Sequence, residues 1–229
     1  AMAQTHKFVV TIDGAAGTGK STVAQELARR LGTECLDSGA MYRAVAVLSI
    51  DRSIKPTDGA ALASAIREVG IRFDWNTKPP TILLGDVDVS QRIRELDISG
   101  VLSDVAKQPE VRKVLVEQQR QIGESHPLLV TEGRDQGSVV FPHASARFFL
   151  QANVNERTKR RAKQLRARGA TVNEDVVQQD IETRDYIDLT REDGPLTCPD
   201  GATIIDTSSM SMTEVVDLME TEVTALLSR

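Results

Sequence analysis

Gly14-Ala15-Ala16-Gly17-Thr18-Gly19-Lys20-Ser21-Thr22 follows directly on the apolar run Phe8–Ile12, and these residue types at this spacing suit one chemistry, the cradling of phosphate oxygens. Glycines let the backbone wrap so that consecutive N–H groups, and the positive end of the next helix, face anionic oxygens. A lysine in the place of Lys20 reaches the β- and γ-phosphates, and a hydroxyl in the place of Ser21 ligates magnesium. Context supports the motif. Five β-favouring residues precede it, and Val23, Ala24, Leu27, Ala28 and Leu31 follow at helical spacing, giving strand, loop and helix in the required order. Gly14, Gly17 and Gly19 are spaced G-x-x-G-x-G, the reverse of the dinucleotide fingerprint, which argues against a nicotinamide site.

Ligands of an open α/β sheet collect beyond the carboxyl ends of its strands, so residues just after each strand are the next candidates. One such segment is Asp37-Ser38-Gly39-Ala40-Met41-Tyr42-Arg43; another is Glu132-Gly133-Arg134-Asp135. Charges at buried strand ends are costly unless they meet a ligand or each other. Each segment alone also reads as a helix cap or a salt bridge. Spacing is more informative from Asn173 onward, where a helical pattern puts Arg184, Asp188 and Arg191 at i, i+4 and i+7 on one face. That is either a solvated charge ladder or a pocket for a phosphate and a sugar hydroxyl. A basic run, Glu156 to Arg161 with Arg157, Arg160 and Arg161, begins just after the fourth strand, where a lid could neutralise a transferring phosphoryl group.

The elements that must position these residues alternate. Phe8–Ile12, Glu34–Leu36, Leu128–Thr131, Ala146–Leu150 and Thr203–Ile205 read as strands, and the helical patterns between them imply a parallel sheet. Ile98 to Ala106, the stretch after Pro109, and a last stripe of Val215, Met219, Val223 and Leu226 read as helices. From Ile71 to Val89 the rhythm changes to short strands with Gly85-Asp86 as a tight hairpin turn, an antiparallel insert. The 229 residues and net charge of −5 fit one α/β domain and argue against a general nucleic-acid binder. Cys35 and Cys198 have neither disulfide-framework nor metal-ligand spacing, and His6, His126 and His143 are scattered, so both sets read as surface or packing residues. With no apolar run near the ~20 residues of a membrane span and no secretory signal before the first strand, a cytoplasmic protein is expected.

Taken together these segments resemble bacterial cytidylate kinases, which are P-loop nucleoside monophosphate kinases. The resemblance spans nearly the whole chain and rests on Ile12 to Thr22, Leu36 to Tyr42-Arg43, Gly133-Arg134-Asp135 with Val139 to Pro142, and Arg184 to Asp188 followed by Arg191 and Pro195-Leu196. It implies an α/β P-loop NTPase fold, a five-stranded parallel sheet flanked by helices, over residues 1–229 as one kinase domain. It also implies a monophosphate-binding insert over about 64–105 and a helical lid over about 155–170. In that comparison Arg43, Arg134 and Arg191 hold the acceptor's α-phosphate, and Arg184, Asp188 and Tyr42 address the sugar. Ser103, Arg112 and Asp135 read the cytosine edge, with Ser38 also on the acceptor side. Gly14 to Thr22 and Arg157 bind ATP, Ser21 takes magnesium, and Lys20, Arg134, Arg160 and Arg161 act on the transferring group. Ala15 replaces the family's usual proline, Glu132 a common aspartate, and Gly194 a common serine.

A phosphate acceptor is already an anionic nucleophile, so the lack of a Ser-His or Glu-His pair fits phosphoryl transfer from ATP to CMP or dCMP. Two other readings stand beside it: a P-loop kinase for UMP, AMP or another small metabolite, and a regulatory nucleotide switch with a protein partner. The expected partners are small nucleotides, with no nucleic acid or membrane, and the chain is expected to be a monomer.

Overall fold

Seven residues from Phe8 to Gly14 form strand β1, and all but the first are buried, as befits a strand covered on both faces of a parallel sheet. The computed structural model describes residues 7–229; Ala1-Met2 and His6 lie outside the described residues. Contact within the chain divides it into two compact units, residues 1–35 with 128–229, and residues 36–127.

The first unit carries β1, helix α1 (Lys20–Leu31), the start of β2 (Glu34–Asp37), β6 (Leu128–Gly133), β7 (Ala146–Gln151), helices α6 (Val154–Ala167) and α7 (Glu174–Thr190), β8 (Thr203–Asp206) and α8 (Met212–Leu227). The five strands form one sheet in the order β2-β6-β1-β7-β8, with β1 parallel to β6 and β7, and β7 parallel to β8. Val10, Ile12, Phe148 and Leu150 of the sheet pack with Val23 and Leu27 of α1 and Val215, Met219 and Val223 of α8. Local signals fix the helix ends. Gly32 closes α1 in the left-handed conformation at φ 66°. Asn153 and Asn173 cap α6 and α7, and a reciprocal Ser211–Glu214 capping box opens α8.

The second unit holds α2 (Ser38–Asp51), α3 (Gly59–Val69), α4 (Leu96–Ala106), α5 (Pro109–Glu124) and an antiparallel sheet of β3 (Ile71–Asp74), β4 (Thr81–Leu84) and β5 (Val87–Asp88). The hairpin foreseen at Gly85-Asp86 joins β4 to β5, with Gly85 at φ 62° and Leu84 opposite Val87. α3 packs on α5, and α2 packs on α3, α4 and β4. Ten of the fourteen α2 residues are buried, from Ser38 to Ser49, so this helix is the core of the unit. Helix α3 is an element the sequence reading did not draw; Asp58 caps it by accepting from Ala61 N–H. His126 lies edge-on to Trp75 at 5.0 Å between ring centroids, a packing role.

Phe148 is fully buried at the centre of the first unit's core. Phe148→Ala should lower unfolding stability by about 3–5 kcal/mol in chemical denaturation; a loss below about 1 kcal/mol would contradict the packing described.

Candidate active site

Loop 14–19 leaves β1 and enters α1 through glycines that the geometry demands. Gly17 and Gly19 have φ of 78° and 91°, and a Cβ on Gly14 would come within 2.8 Å of the Leu150 carbonyl oxygen. Within the loop, the Thr18 hydroxyl donates to the Ala15 carbonyl at 2.8 Å, which closes the turn. From behind, Arg157 Nη1 donates to the Ala16 carbonyl at 3.4 Å, Arg160 Nη1 to that of Gly17 at 3.3 Å, and the Thr207 hydroxyl to that of Thr18 at 3.0 Å. A trans peptide points its C=O and N–H in opposite directions. Holding these carbonyls therefore turns the following amides away from the braces, which leaves the loop's far side rich in donors.

The braces are themselves anchored. Asp185 of α7 grips the Arg157 guanidinium with both oxygens, at 2.9 and 2.7 Å, while Arg157 Nε donates to the Ala152 carbonyl. Arg160 Nη2 donates to the Thr207 carbonyl at 2.6 Å. Burial first, and then repulsion from Arg168, lowers the proton affinity of Arg161, the third arginine of α6. Neither Asp185 nor Thr207 was singled out from the sequence. Asp185 carries a signal in hindsight, four residues after the buried Ile181 and beside Arg184; Thr207 has only its place after the last strand.

Ser21 Oγ donates to Glu132 Oε1 at 2.8 Å, joining the first turn of α1 to the end of β6. A hydroxyl and a carboxylate are hard oxygen donors of the kind magnesium takes alongside phosphate oxygens and water, so the residues fit that ion. Among the described residues no cluster of three His, Cys, Asp or Glu has metal-site geometry. Magnesium in P-loop sites draws most of its shell from phosphates and water and needs no such cluster.

Three arginines converge on Asp188. Arg134 Nε donates to Oδ2 at 2.8 Å, Arg184 Nε to Oδ1 at 3.2 Å, and Arg191 Nη1 lies 3.8 Å from Oδ1. The Asp188 side chain is 1% exposed, so this is no solvated ladder. Burial pushes its carboxyl up, but Arg134, Arg184 and Arg191 together outweigh that and hold it below the ordinary carboxylate range. Burial, followed by repulsion from Arg134, lowers the proton affinity of Arg184, which remains a cation at neutral pH. One expectation needs correcting: Arg191 is not on the helix. The helix α7 ends at Thr190 and Arg191 turns extended, φ −63° and ψ 143°, yet still reaches Asp188. Its Nε donates to the Gly194 carbonyl at 2.6 Å, and Gly194 sits at φ 57°, a left-handed conformation that glycine adopts readily.

The remaining acceptor-side candidates divide between the units. Asp135 is buried at the end of β6 in the first unit, its Oδ1 accepting from Gln136 Nε2 at 3.3 Å. Ser38, Tyr42, Arg43, Ser103 and Arg112 belong to the second. There Arg112, 1% exposed, donates from Nη1 to the Tyr42 hydroxyl at 3.2 Å, its guanidinium carbon 5.6 Å from the ring centroid. Ser38 is buried at the first turn of α2, whose N-cap is Asp37.

Strand–loop–helix geometry, the Ser21–Glu132 pair and the cationic cluster define a P-loop nucleotide phosphotransferase. Residues 10–225 match the family described as cytidylate kinase. The chain is 41% identical over 208 residues to the cytidylate kinase of Caldanaerobacter subterraneus subsp. tengcongensis, covering 91% of each. It is 39% identical over 222 residues to that of Salinibacter ruber, covering 95% of this chain and 97% of that protein. An uncharacterized protein from Eubacterium ventriosum superposes with a TM-score of 0.53 at 14% identity, over 98% of this chain and 100% of that one, a likeness of fold. The chain belongs to the cytidylate kinase family.

Asp13 also was given no role from the sequence. It is fully buried, and burial pushes its carboxyl up to about 7 although the Gly137 and Gln136 amides pull it down. A carboxyl raised in the folded state holds its proton there at pH values where the unfolded chain has lost it. Its contribution to stability is therefore fully present below about pH 4 and is lost as pH rises through about 7. The difference in unfolding free energy between the wild type and Asp13→Asn should accordingly shift against the wild type from pH 5 to pH 8, measured by denaturant titration; a pH-independent difference would contradict it.

Proposed function

We propose that this chain transfers the γ-phosphoryl group of ATP to the phosphate of CMP or dCMP, giving CDP or dCDP and ADP. The observation that carries the reading is the gathering of Arg134, Arg184 and Arg191 around one buried carboxylate, in a member of the cytidylate kinase family that has a complete phosphate loop. Three guanidinium groups against one carboxylate leave two positive charges, a seat for an anionic acceptor.

In this reading the loop amides from Gly14 to Thr22 and Lys20 hold the donor's phosphates, with Arg157 bracing the loop. Ser21, with Glu132 beside it, would hold magnesium, which supplies charge neutralisation and orientation at the phosphates when bound. Arg43, Arg134 and Arg191 are the candidates for the acceptor's phosphate. Arg184, Asp188 and Tyr42 address the sugar. Arg160 and Arg161 of α6 neutralise the transferring group, and α6 acts as the lid. The attacking oxygen is already anionic, so alignment and charge stabilisation suffice without a general base. Cytosine presents a 4-amino donor, which Asp135 accepts, while Ser103 and Arg112 donate to its O2 and N3. Uracil reverses the pattern at positions 3 and 4. Residues of about 64–105 form the acceptor-binding insert, and we take the protein to work in the cytoplasm as a monomer.

ADP release, coupled to a dehydrogenase readout with ATP and magnesium, compares CMP, dCMP, UMP, AMP and GMP directly. CMP and dCMP should far exceed the others; preferred turnover of UMP or a purine would overturn the base assignment, and no acceptor-dependent release would overturn the kinase reading. Asp135→Asn should reduce the CMP-to-UMP ratio of kcat/KM by about tenfold or more, because the new amide can donate to uracil O4. An unchanged ratio would remove Asp135 from the base-reading set.

A further inference from the structure

Asp13 ends the apolar strand β1 and immediately precedes Gly14, the first residue of the phosphate loop. Its two carboxylate oxygens each accept one backbone amide from the turn that follows the neighbouring strand β6: Oδ1 from Gln136 N–H and Oδ2 from Gly137 N–H, both at 2.8 Å. Those amides directly follow Arg134 and Asp135, and they open the wide helical turn Gln136–Val140 that ends this corner of the chain. The same turn is pressed close from two sides. A Cβ on Gly137 would lie 2.8 Å from Thr11 Oγ1 and 2.9 Å from Pro199 Cγ.

The two loops joined here are held by different ties. The phosphate loop has its own braces in Thr18, Arg157, Arg160 and Thr207, none of which involves Asp13. At the corner after β6, the Val139 and Val140 amides donate to the carbonyl of Asp135, a tie within the same turn. The Asp13 carboxylate fastens the turn's first amides to β1, and Asp188 holds Arg134 beside them. β1 and β6 themselves pair only as far as Asp13 opposite Gly133, so Arg134 is the first residue past the ladder.

We propose that Asp13 is a positioning residue for the acceptor side of the site, setting Arg134 and Asp135 relative to the phosphate loop through the Gln136 and Gly137 amides. This rests on the kinase reading above for what Arg134 and Asp135 bind. Asp13 itself touches no substrate. It converts the end of the donor strand into the fixed point from which the acceptor corner is hung, so that the two phosphates are brought into line by one buried side chain.

Asp13→Asn tests this with almost no change of shape, since the amide can accept from one of the two N–H groups and turns a donor toward the other. Assayed at pH 8, above the raised carboxyl value of about 7, the loss of one charge-assisted bond predicts a fall of about tenfold to a hundredfold in kcat/KM for CMP. The dissociation constant for ATP, measured calorimetrically on the same protein, should stay within about twofold, because the loop's own braces remain. Gly137→Ala displaces the same turn from its opposite face and should give the same acceptor-selective loss, which keeps the test open if Asp13→Asn does not fold. Val223→Ala, a buried change on α8, serves as a control for general destabilisation and should not separate the two ligands. Equal losses for ATP and CMP, or no loss for CMP, in either folded variant would overturn the proposal. A wild type that folds, binds ATP and ignores CMP would instead overturn the kinase reading.

Discussion

Guanidinium groups that serve an anion must be kept together when the anion is absent, and the rest of this site depends on how that repulsion is met. Two unit charges about 6 Å apart repel by about 3 kcal/mol at an effective dielectric constant near 20. Asp188 meets this for Arg134, Arg184 and Arg191, contributing a carboxylate that is itself buried and held ionised by the same three cations. The arrangement is mutual: remove the carboxylate and the arginines disperse; remove the arginines and a buried charge is left unpaired. What remains after this pairing is a net positive cluster with its geometry already set, an arrangement that would lower the cost of ordering side chains around an anion.

A similar division of labour holds on the donor side. Arg157 is committed to Asp185 and the Ala16 carbonyl, and Arg160 to Thr207 and the Gly17 carbonyl. These cations grip the loop's own carbonyls and so shape the phosphate loop. Helix α7 links the two halves of this site, since Asp185 anchors the Arg157 brace while Arg184, one residue back, and Asp188, three residues on, build the arginine–carboxylate cluster.

Much of this was legible in the residues. Buried parallel strands read as continuous apolar runs, so all five were placed to within a few residues, and the glycine-rich loop declared both its conformation and its ligand class. The charged residues after β6 and along α7 were found because charge at a strand end or on a shared helix face is conspicuous. What sequence could not show were partners brought together by the fold. Asp13 meets amides more than a hundred residues away, and backbone acceptors and donors leave no mark on side-chain pattern. Thr207 is an ordinary threonine until Arg160 and the Thr18 carbonyl are placed against it. Arg191 was put on a helix by its spacing, whereas the helix ends one residue earlier, Arg191 turns extended, and Gly194 supplies the contact that fixes it.

The central claim is that the arginines around Asp188 are assembled for the phosphate of the acceptor and not merely to neutralise one another. Calorimetric titration of the protein with CMP and with cytidine, at low and at physiological salt, tests it most directly. CMP should bind at least about a hundredfold more tightly than cytidine, from two or more charge-assisted hydrogen bonds, and that advantage should shrink as salt increases. Equal affinities for the two ligands, or a preference for CMP that salt leaves untouched, would contradict the account.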